Sequence, residues 1–207
     1  MTAVYGWAIP VLWLSWTALW AAWSRGTKPA ARRESRTSRL AYNAPLLAGA
    51  VLLALPSAWA GSGPLAARWL PRSLVWFWTG AALIAAGLAF AVAARAHIGR
   101  NWSGMVTVKQ GHELVQTGPY RLVRHPIYAG LLLAFAGTAL ARGDGRGLAA
   151  LALVTASFLF KLRVEERFMA GEFPRVYPDY KACTPALVPS LAFVVRGLYH
   201  GVSGRLP

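Results

Sequence analysis

Long apolar runs separated by short basic stretches set the pattern of this chain. A membrane-spanning helix needs about 20 mostly apolar residues. Three runs meet that length: Val4 to Trp23, about Ala41 to Ala60, and Leu74 to about Ala94. Two shorter runs follow, Pro126 to about Ala141 and Leu148 to about Leu162. Between them, Arg142 to Gly147 reads RGDGRG, a turn composition. The pattern predicts an all-α fold, a multi-pass transmembrane helix bundle of about five spans, the last two forming a tight helical hairpin. It reads as one membrane domain, 1–207. Spans one to three fall in 1–98, the polar-rich half that carries the candidate chemistry in 99–185, and a tail in 186–207.

Finer signals sit inside this frame. Ala81, Ala85, Ala89 and Ala93 form a row of small residues, as do Gly130, Ala134 and Thr138. Such rows let membrane helices approach closely and are read as packing seams. Trp7, Trp20, Trp23, Trp59, Trp69, Trp76 and Trp78 lie near predicted span ends, as interfacial anchors do. Val106 and Val108 flank Thr107 with strand-like alternation, which predicts a short extended element or hairpin. Gly118-Pro119 marks a turn.

Charge then orients the bundle. The 207 residues are 56% hydrophobic, and 22 Lys and Arg face only 7 acids, a net charge of +15. A nucleic-acid binder spreads such charge over a wet surface; here it is clustered between apolar runs, as in loops facing anionic lipid. Five spans with the N-terminus outside put every Lys and Arg except Arg68, Arg72, Arg142 and Arg146 on the cytoplasmic side. The expectation is an integral, multi-pass membrane protein without a nucleic-acid partner. No basic stretch precedes the first apolar run, which argues against a cleaved signal peptide. A single cysteine, Cys183, permits no internal disulfide.

Two polar segments, Gly99–Tyr128 and Lys161–Tyr180, carry the candidate chemistry, both expected at the cytoplasmic face. Pro126 is well suited to the first position of a helix because it has no N–H to leave unpaired. His125 therefore sits at a helix mouth, where free N–H groups and the dipole favour an anion. Arg121 and Arg124 add formal charge there. Glu165 and Glu166 stand where the fifth span leaves the membrane; such acids are costly unless paired or bound to a cation. Salt bridges to Lys161, Arg163 and Arg167 are the plainer reading of that acidic pair.

Taken together, these residues resemble the isoprenylcysteine carboxyl methyltransferase family and its phospholipid N-methyltransferase relatives. The shared pattern is His112-x-Leu114-Val115-x-x-Gly118-x-Tyr120, then Arg124-His125-Pro126-x-Tyr128, then Glu165-Glu166 after the hairpin, ending in Tyr177-x-x-Tyr180 and Pro185. The resemblance covers about Asn101 to Pro185. It implies an enzyme that binds S-adenosylmethionine without a Rossmann domain; the chain has no strand-GxGxxG-helix unit. It implies cofactor contacts from His112, Glu113, Leu114, Val115, Tyr120, His125, Pro126, Ile127, Tyr128 and Glu165, and no metal. In the family an arginine stands a turn before the acidic pair, where this chain has Lys161.

The substrate expected is a lipophilic small molecule or lipid entering between the third to fifth spans. A carboxylate acceptor needs cationic docking, for which Arg124, Lys161 or Arg163 would serve. An amine acceptor needs a proton acceptor, for which Glu166 or His125 would serve. Two rival readings remain, a sterol-reductase-like NADPH enzyme and a non-enzymatic membrane protein.

Overall fold

The structure is a computed structural model that describes residues 2–24, 30–54, 62–102, 107–109 and 113–189. Helices dominate: α1 (Thr2–Trp23), α2 (Arg36–Ala54), α3 (Leu74–Ile98), α4 (Pro119–Leu122), α5 (Pro126–Arg142), α6 (Gly145–Glu172) and α7 (Tyr177–Cys183). A 3-10 turn, Gly99–Asn101, follows α3. Two short strands, β1 (Ala30–Arg33) and β2 (Thr107–Lys109), pair antiparallel. The chain is therefore helical with one small two-stranded ribbon. The strand signal around Thr107 was correct in kind, but its partner lies near residue 30 rather than in a local hairpin.

Five long helices fall on the five predicted runs. α3 and α6 are long and apolar enough to cross a membrane by length and composition, and α5 is a shorter apolar helix. The second run begins earlier than its hydropathy suggests, at Arg36, because the polar first turn is helical too. The stretch around Pro56 and Trp59 lies outside the described residues. The fifth run departs most. α6 continues to Glu172, well past the expected end near Leu162. Nothing in KLRVEERFMA breaks a helix, and the next breakers are Gly171 and Pro174. Lys161, Glu165 and Glu166 thus belong to the same rigid rod as the span.

α3 and α5 make the closest seam. A Cβ added at Gly87 would lie 2.3 Å from the Gly130 carbonyl, and one at Gly80 would lie 2.4 Å from the Gly137 carbonyl. Glycine is required there because the two backbones nearly touch. The row Gly130, Ala134, Thr138 is buried as expected. The matching face of α3 is Gly80, Ile84, Gly87 and Ala91; Ala85, Ala89 and Ala93 are exposed. The row of alanines was the wrong face because alanine is small enough to be common on every side of an apolar helix. α2 packs on α6, where Gly49 meets Val154 and Ala150. Trp13 of α1 donates to Thr138 at 3.1 Å and lies against Phe135.

Loops gather at two ends. At one, β1 pairs with β2, and Arg95 donates to the Trp23 carbonyl at 3.0 Å. At the other, Gly143 closes α5 in a left-handed conformation (φ 59) and Asp144 caps α6 by accepting from Gly147 N–H at 3.1 Å. The hairpin link is thus only Gly143-Asp144. The strip Leu65–Leu70 is hydrogen-bonded to it through Trp69 N–H to Gly143 O (3.0 Å) and Gly145 N–H to Ala67 O (2.9 Å). Trp7, Trp69, Trp76 and Trp78 are exposed at the outside of the bundle, in keeping with interfacial anchoring. Trp20 is half-buried, stacks on Trp16 and meets Trp102 edge-on at 5.2 Å.

Candidate active site

α5 begins where the sequence places a helix mouth. Pro126 occupies its first turn and His125 is its N-cap, with no side-chain cap bond. The ring is engaged elsewhere. Its Nδ1 lies 3.4 Å from Glu165 Oε2, and its Nε2 lies 3.4 Å from Glu166 Oε1. Adjacent residues on a helix point about 100° apart, so the acidic pair divides its work across the imidazole.

Glu166 faces the closing segment. It receives Arg124 Nη2 at 2.6 Å and Nε at 3.0 Å, and Lys181 Nζ at 2.8 Å. Arg124 also donates to the Lys181 carbonyl at 3.0 Å and to the Thr184 carbonyl. The backbone N–H groups of Arg124 and His125 donate to Pro185 O (2.9 Å) and Ala186 O (3.0 Å). Tyr180 adds a hydroxyl bond to the Tyr120 carbonyl at 2.6 Å. These bonds strap residues 180–186 across the mouth of α5.

Glu165 faces inward. It accepts from the Tyr128 hydroxyl, and Tyr128 stacks between His125 (centroids 5.6 Å apart) and Phe158 (4.9 Å). Burial works against a charged His125 ring, but Glu165 and Glu166 outweigh it and hold its pKa above the ordinary value. Burial, with Glu165 adding to it, raises the Tyr120 phenol far above its usual range; burial pushes Tyr180 up to about 12.

Around this cluster lies a cavity of about 140 Å³ with both charged and apolar walls. Its walls include Glu113, Leu114, Val115, Tyr120, His125, Pro126, Ile127, Tyr128 and Glu165. His112, named with them in the sequence, lies outside the described residues. Six further wall residues were not among the expected cofactor contacts: Ile98, Asn101, Trp102, Met169, Tyr177 and Tyr180. Asn101 could have drawn notice as a lone amide after an apolar helix; its Oδ1 is buried without a hydrogen-bond partner. Arg124 also lines this cavity, although its guanidinium is taken up by Glu166 and the strap.

A larger, mostly apolar chamber of about 930 Å³ runs between α1, α2, α5 and α6. It passes Trp13, Trp16, Leu46, Leu53, Leu131 and Phe135, and reaches from Lys161 to Arg142. The two cavities share Trp102, Ile127 and Tyr128. Phe77 of α3 is also in the chamber wall, beside residues of α5 and α6. α3 is locked to α5 by the glycine seam, so the room lies on the α1 and α2 side.

The cationic candidates separate accordingly. Lys161 lines the chamber, its Nζ 5.0 Å from the Tyr42 ring and 5.5 Å from the Tyr128 ring. Arg163 is exposed and lines neither cavity. The acidic pair is bonded to His125, Tyr128, Arg124 and Lys181. Among the described residues no three His, Cys, Asp or Glu side chains are grouped to hold a metal ion.

Comparison with known proteins agrees with this geometry. Residues 75–176 match the model of the phospholipid methyltransferase family. This segment is the part of the chain that is similar to that family. It contains the seam, the helix mouth, the hairpin and the acidic pair. The chain is 47% identical over 72 residues to methanethiol S-methyltransferase 2 of Bradyrhizobium diazoefficiens, covering 35% of this chain and 27% of that protein. It is 30% identical over 94 residues to protein-S-isoprenylcysteine O-methyltransferase B of Arabidopsis thaliana, 44% of this chain and 48% of that one. A cobalt-zinc-cadmium resistance protein of Cupriavidus metallidurans is 36% identical over 110 residues, 52% and 48% of the two chains. The match spans about half the length of these relatives or less.

Proposed function

We propose that this chain is a membrane methyltransferase that moves a methyl group from S-adenosylmethionine to the polar head of a lipophilic acceptor. One observation carries the reading: a small cavity that holds the charged cluster and a larger, mostly apolar chamber meet at Trp102, Ile127 and Tyr128. A methyltransferase of this kind needs two binding places of opposite character that touch at one point.

The residues of the smaller cavity fit the donor. Glu165 offers a carboxylate to a cationic sulfonium or a ribose hydroxyl. Asn101 Oδ1 is a buried acceptor lacking a donor. Trp102, Tyr120 and Tyr177 offer aromatic faces for a nucleobase. A nucleoside sulfonium is bulkier than this cavity alone, so its reacting end must reach the shared wall. When bound, S-adenosylmethionine supplies an electrophilic methyl; the protein has to hold the acceptor about 3 Å away and in line. Tyr128, fixed by Glu165, His125 and Phe158, is the rigid side of that junction.

Lys161 supports an anionic acceptor, carboxylate or thiolate, over an amine. It is the cation on the chamber side of the junction, one turn from Glu165. Glu166, the candidate base for an amine, is already bonded to Arg124 and Lys181. Membrane topology follows the same geometry. Loops 30–33 and 107–109 share one end and 65–70 joins the hairpin at the other, as expected of a multi-pass bundle whose basic, site-bearing end faces the cytoplasm and whose N-terminus is outside.

The test uses purified protein in phospholipid vesicles with radiolabelled S-adenosylmethionine and palmitate, hexadecanethiol or hexadecylamine. Label is expected in the acid or thiol, and S-adenosylhomocysteine is expected to raise the melting temperature where NADPH does not. Stabilisation by NADPH alone, with no labelled product from any acceptor, would overturn the assignment.

A further inference from the structure

Two residues outside the matched family segment, Glu34 and Tyr42, meet Lys161 beside the junction. Both are buried, at 8% and 1% exposure. Tyr42 donates its hydroxyl to Glu34, and Ser38 donates to the same carboxylate at 2.9 Å. The Tyr42 backbone is pinned as well: Ser157 of α6 donates to its carbonyl at 2.6 Å. Ser157 is one helical turn before Lys161, on the same face. The ring so fixed lies 5.0 Å from Lys161 Nζ.

Tyr128 does the same from the other side. Its hydroxyl is tied to Glu165, one turn after Lys161, and its ring lies 5.5 Å from the ammonium. Lys161 therefore stands between two tyrosine–glutamate pairs, one from each half of the chain. Glu165 and Glu34 are the carboxylates that act on its charge. A lysine is a flexible four-carbon stem carrying a point charge, so its position must come from its surroundings. Two aromatic faces attract a cation and so help to fix its position.

We infer that Glu34 and Tyr42 are positioning residues that hold Lys161 at the junction of the two cavities, so that an anionic acceptor head is received there and an ammonium head is turned away. The inference rests on the methyltransferase reading above and specifies its acceptor. The acceptor lone pair forms the new bond to the methyl carbon, and the carbon–sulfur bond breaks with its pair going to sulfur. A carboxylate neutralises the sulfonium and leaves no proton over; a thiol reacts as its thiolate, its proton having gone to solvent, and the Lys161 charge favours that anion. The chamber length fits one chain: Tyr128 to Arg142 is 14 steps of α5, about 21 Å.

The test measures kcat and KM for hexadecanethiol and palmitate, and the rate with hexadecylamine, in wild type, Tyr42→Phe, Glu34→Gln, Lys161→Arg and Lys161→Met. Tyr42→Phe and Glu34→Gln are expected to raise KM for the anionic acceptors about tenfold, the effect of one hydrogen bond to a charged group, and to erode the preference over the amine. Affinity for S-adenosylhomocysteine should stay within about twofold. In the Lys161→Met background, Tyr42→Phe should add nothing, because residues acting through one partner are not additive; Lys161→Arg should keep the preference. Equal losses from Tyr42→Phe in both backgrounds, or a parallel loss of donor affinity, would sink the positioning role while leaving the enzyme reading intact. A wild type that transfers methyl to the amine alone would overturn the acceptor class. A wild type that binds the donor analogue and transfers to none of the three would overturn the enzyme reading, and this inference with it.

Discussion

Truncating Glu166 to alanine tests whether the strap over the helix mouth is held by a buried ion pair. Glu166 and Arg124 each keep only 9% of their side chain exposed, and they meet at 2.6 Å. The truncation leaves the guanidinium with two backbone carbonyls, Lys181 and Thr184, and leaves His125 with Glu165 alone. Breaking one side of a buried pair costs about 3–5 kcal/mol, mostly for the charge left uncompensated. The second partner adds little: Lys181 is 53% exposed, so solvent screens it to at most about 1 kcal/mol. The two carbonyls that remain offset part of the loss. A net destabilisation of about 3–4 kcal/mol is expected.

For a chain of this size each kcal/mol moves the midpoint by about 2–4 °C, so Tm should fall by roughly 10 °C. Thermal unfolding in detergent, followed by tryptophan fluorescence, reads this directly. Arg124→Ala should cost a similar amount, and the double variant much less than the sum, because neither single change leaves the partner satisfied. A fall of under about 2 °C, or simple additivity of the two changes, would refute the buried pair as the fastener of the strap.

Other outcomes follow from the same coordinates. His125→Ala or Glu165→Ala should abolish S-adenosylhomocysteine binding in calorimetry while the protein still runs as a folded species in size exclusion. The raised pKa of His125 contributes stability that is fully present below its ordinary value of 6.5 and is lost as pH rises through the higher folded value; the wild type should therefore lose Tm above pH 6.5 more steeply than His125→Gln. Gly87→Leu should prevent a stable bundle, because its side chain would enter the Gly130 backbone, whereas Ala85→Leu on the exposed face should be nearly neutral in the same melt. Asp144→Ala removes the α6 cap and strands the buried Arg146, a loss of at least about 3 kcal/mol. Burial works against the Asp144 charge, but Arg142, Gly147 N–H and Arg146 outweigh it and lower its pKa, so its contribution should persist as pH falls to 3.8 and vanish only below.

What the sequence discloses and what it hides divide along physical lines. Helix positions were legible because apolar runs and their breakers, such as Gly143-Asp144 and Pro126, are local signals. The end of α6 was not, since hydropathy reports where lipid stops and not where hydrogen bonding stops; KLRVEERFMA is polar and still an excellent helix. The seam on α3 was half legible: small residues announced close packing, but only the contact with α5 selects Gly80 and Gly87 over the alanines beside them. At the site, residues with rare chemistry stood out. His125, Glu165 and Glu166 were conspicuous in a chain with 7 acids, and their placement around one cavity is what the spacing across a hairpin allows. Their division of labour was hidden, because which carboxylate turns inward depends on the phase of a helix and on the strap from 180–186.

Least legible was the contribution of the first two helices, and the reason bears on how such a protein is built. Tyr42 and Ser157 are bonded across 115 residues of sequence, and nothing local marks either one. A tyrosine in an apolar run looks like core, and Glu34 looks like one more loop charge beside four arginines. The matched segment, 75–176, contains every wall residue of the smaller cavity except Tyr177 and Tyr180. It does not contain the far wall of the chamber, which α1 and α2 supply with Trp13, Trp16, Leu46 and Leu53. On the proposed methyltransferase reading, chemistry and recognition are then coded in different stretches of one chain. The donor side depends on a compact set of polar residues at a helix mouth, where a small displacement ruins the geometry. The acceptor side depends on shape and on the surroundings of a single lysine, which a pair of generic apolar helices can alter without touching the donor site. Exchanging α1 and α2 between relatives should then change which acceptor is methylated and leave S-adenosylhomocysteine affinity where it was, and a swap that instead destroys donor binding would show that the two halves form one inseparable site.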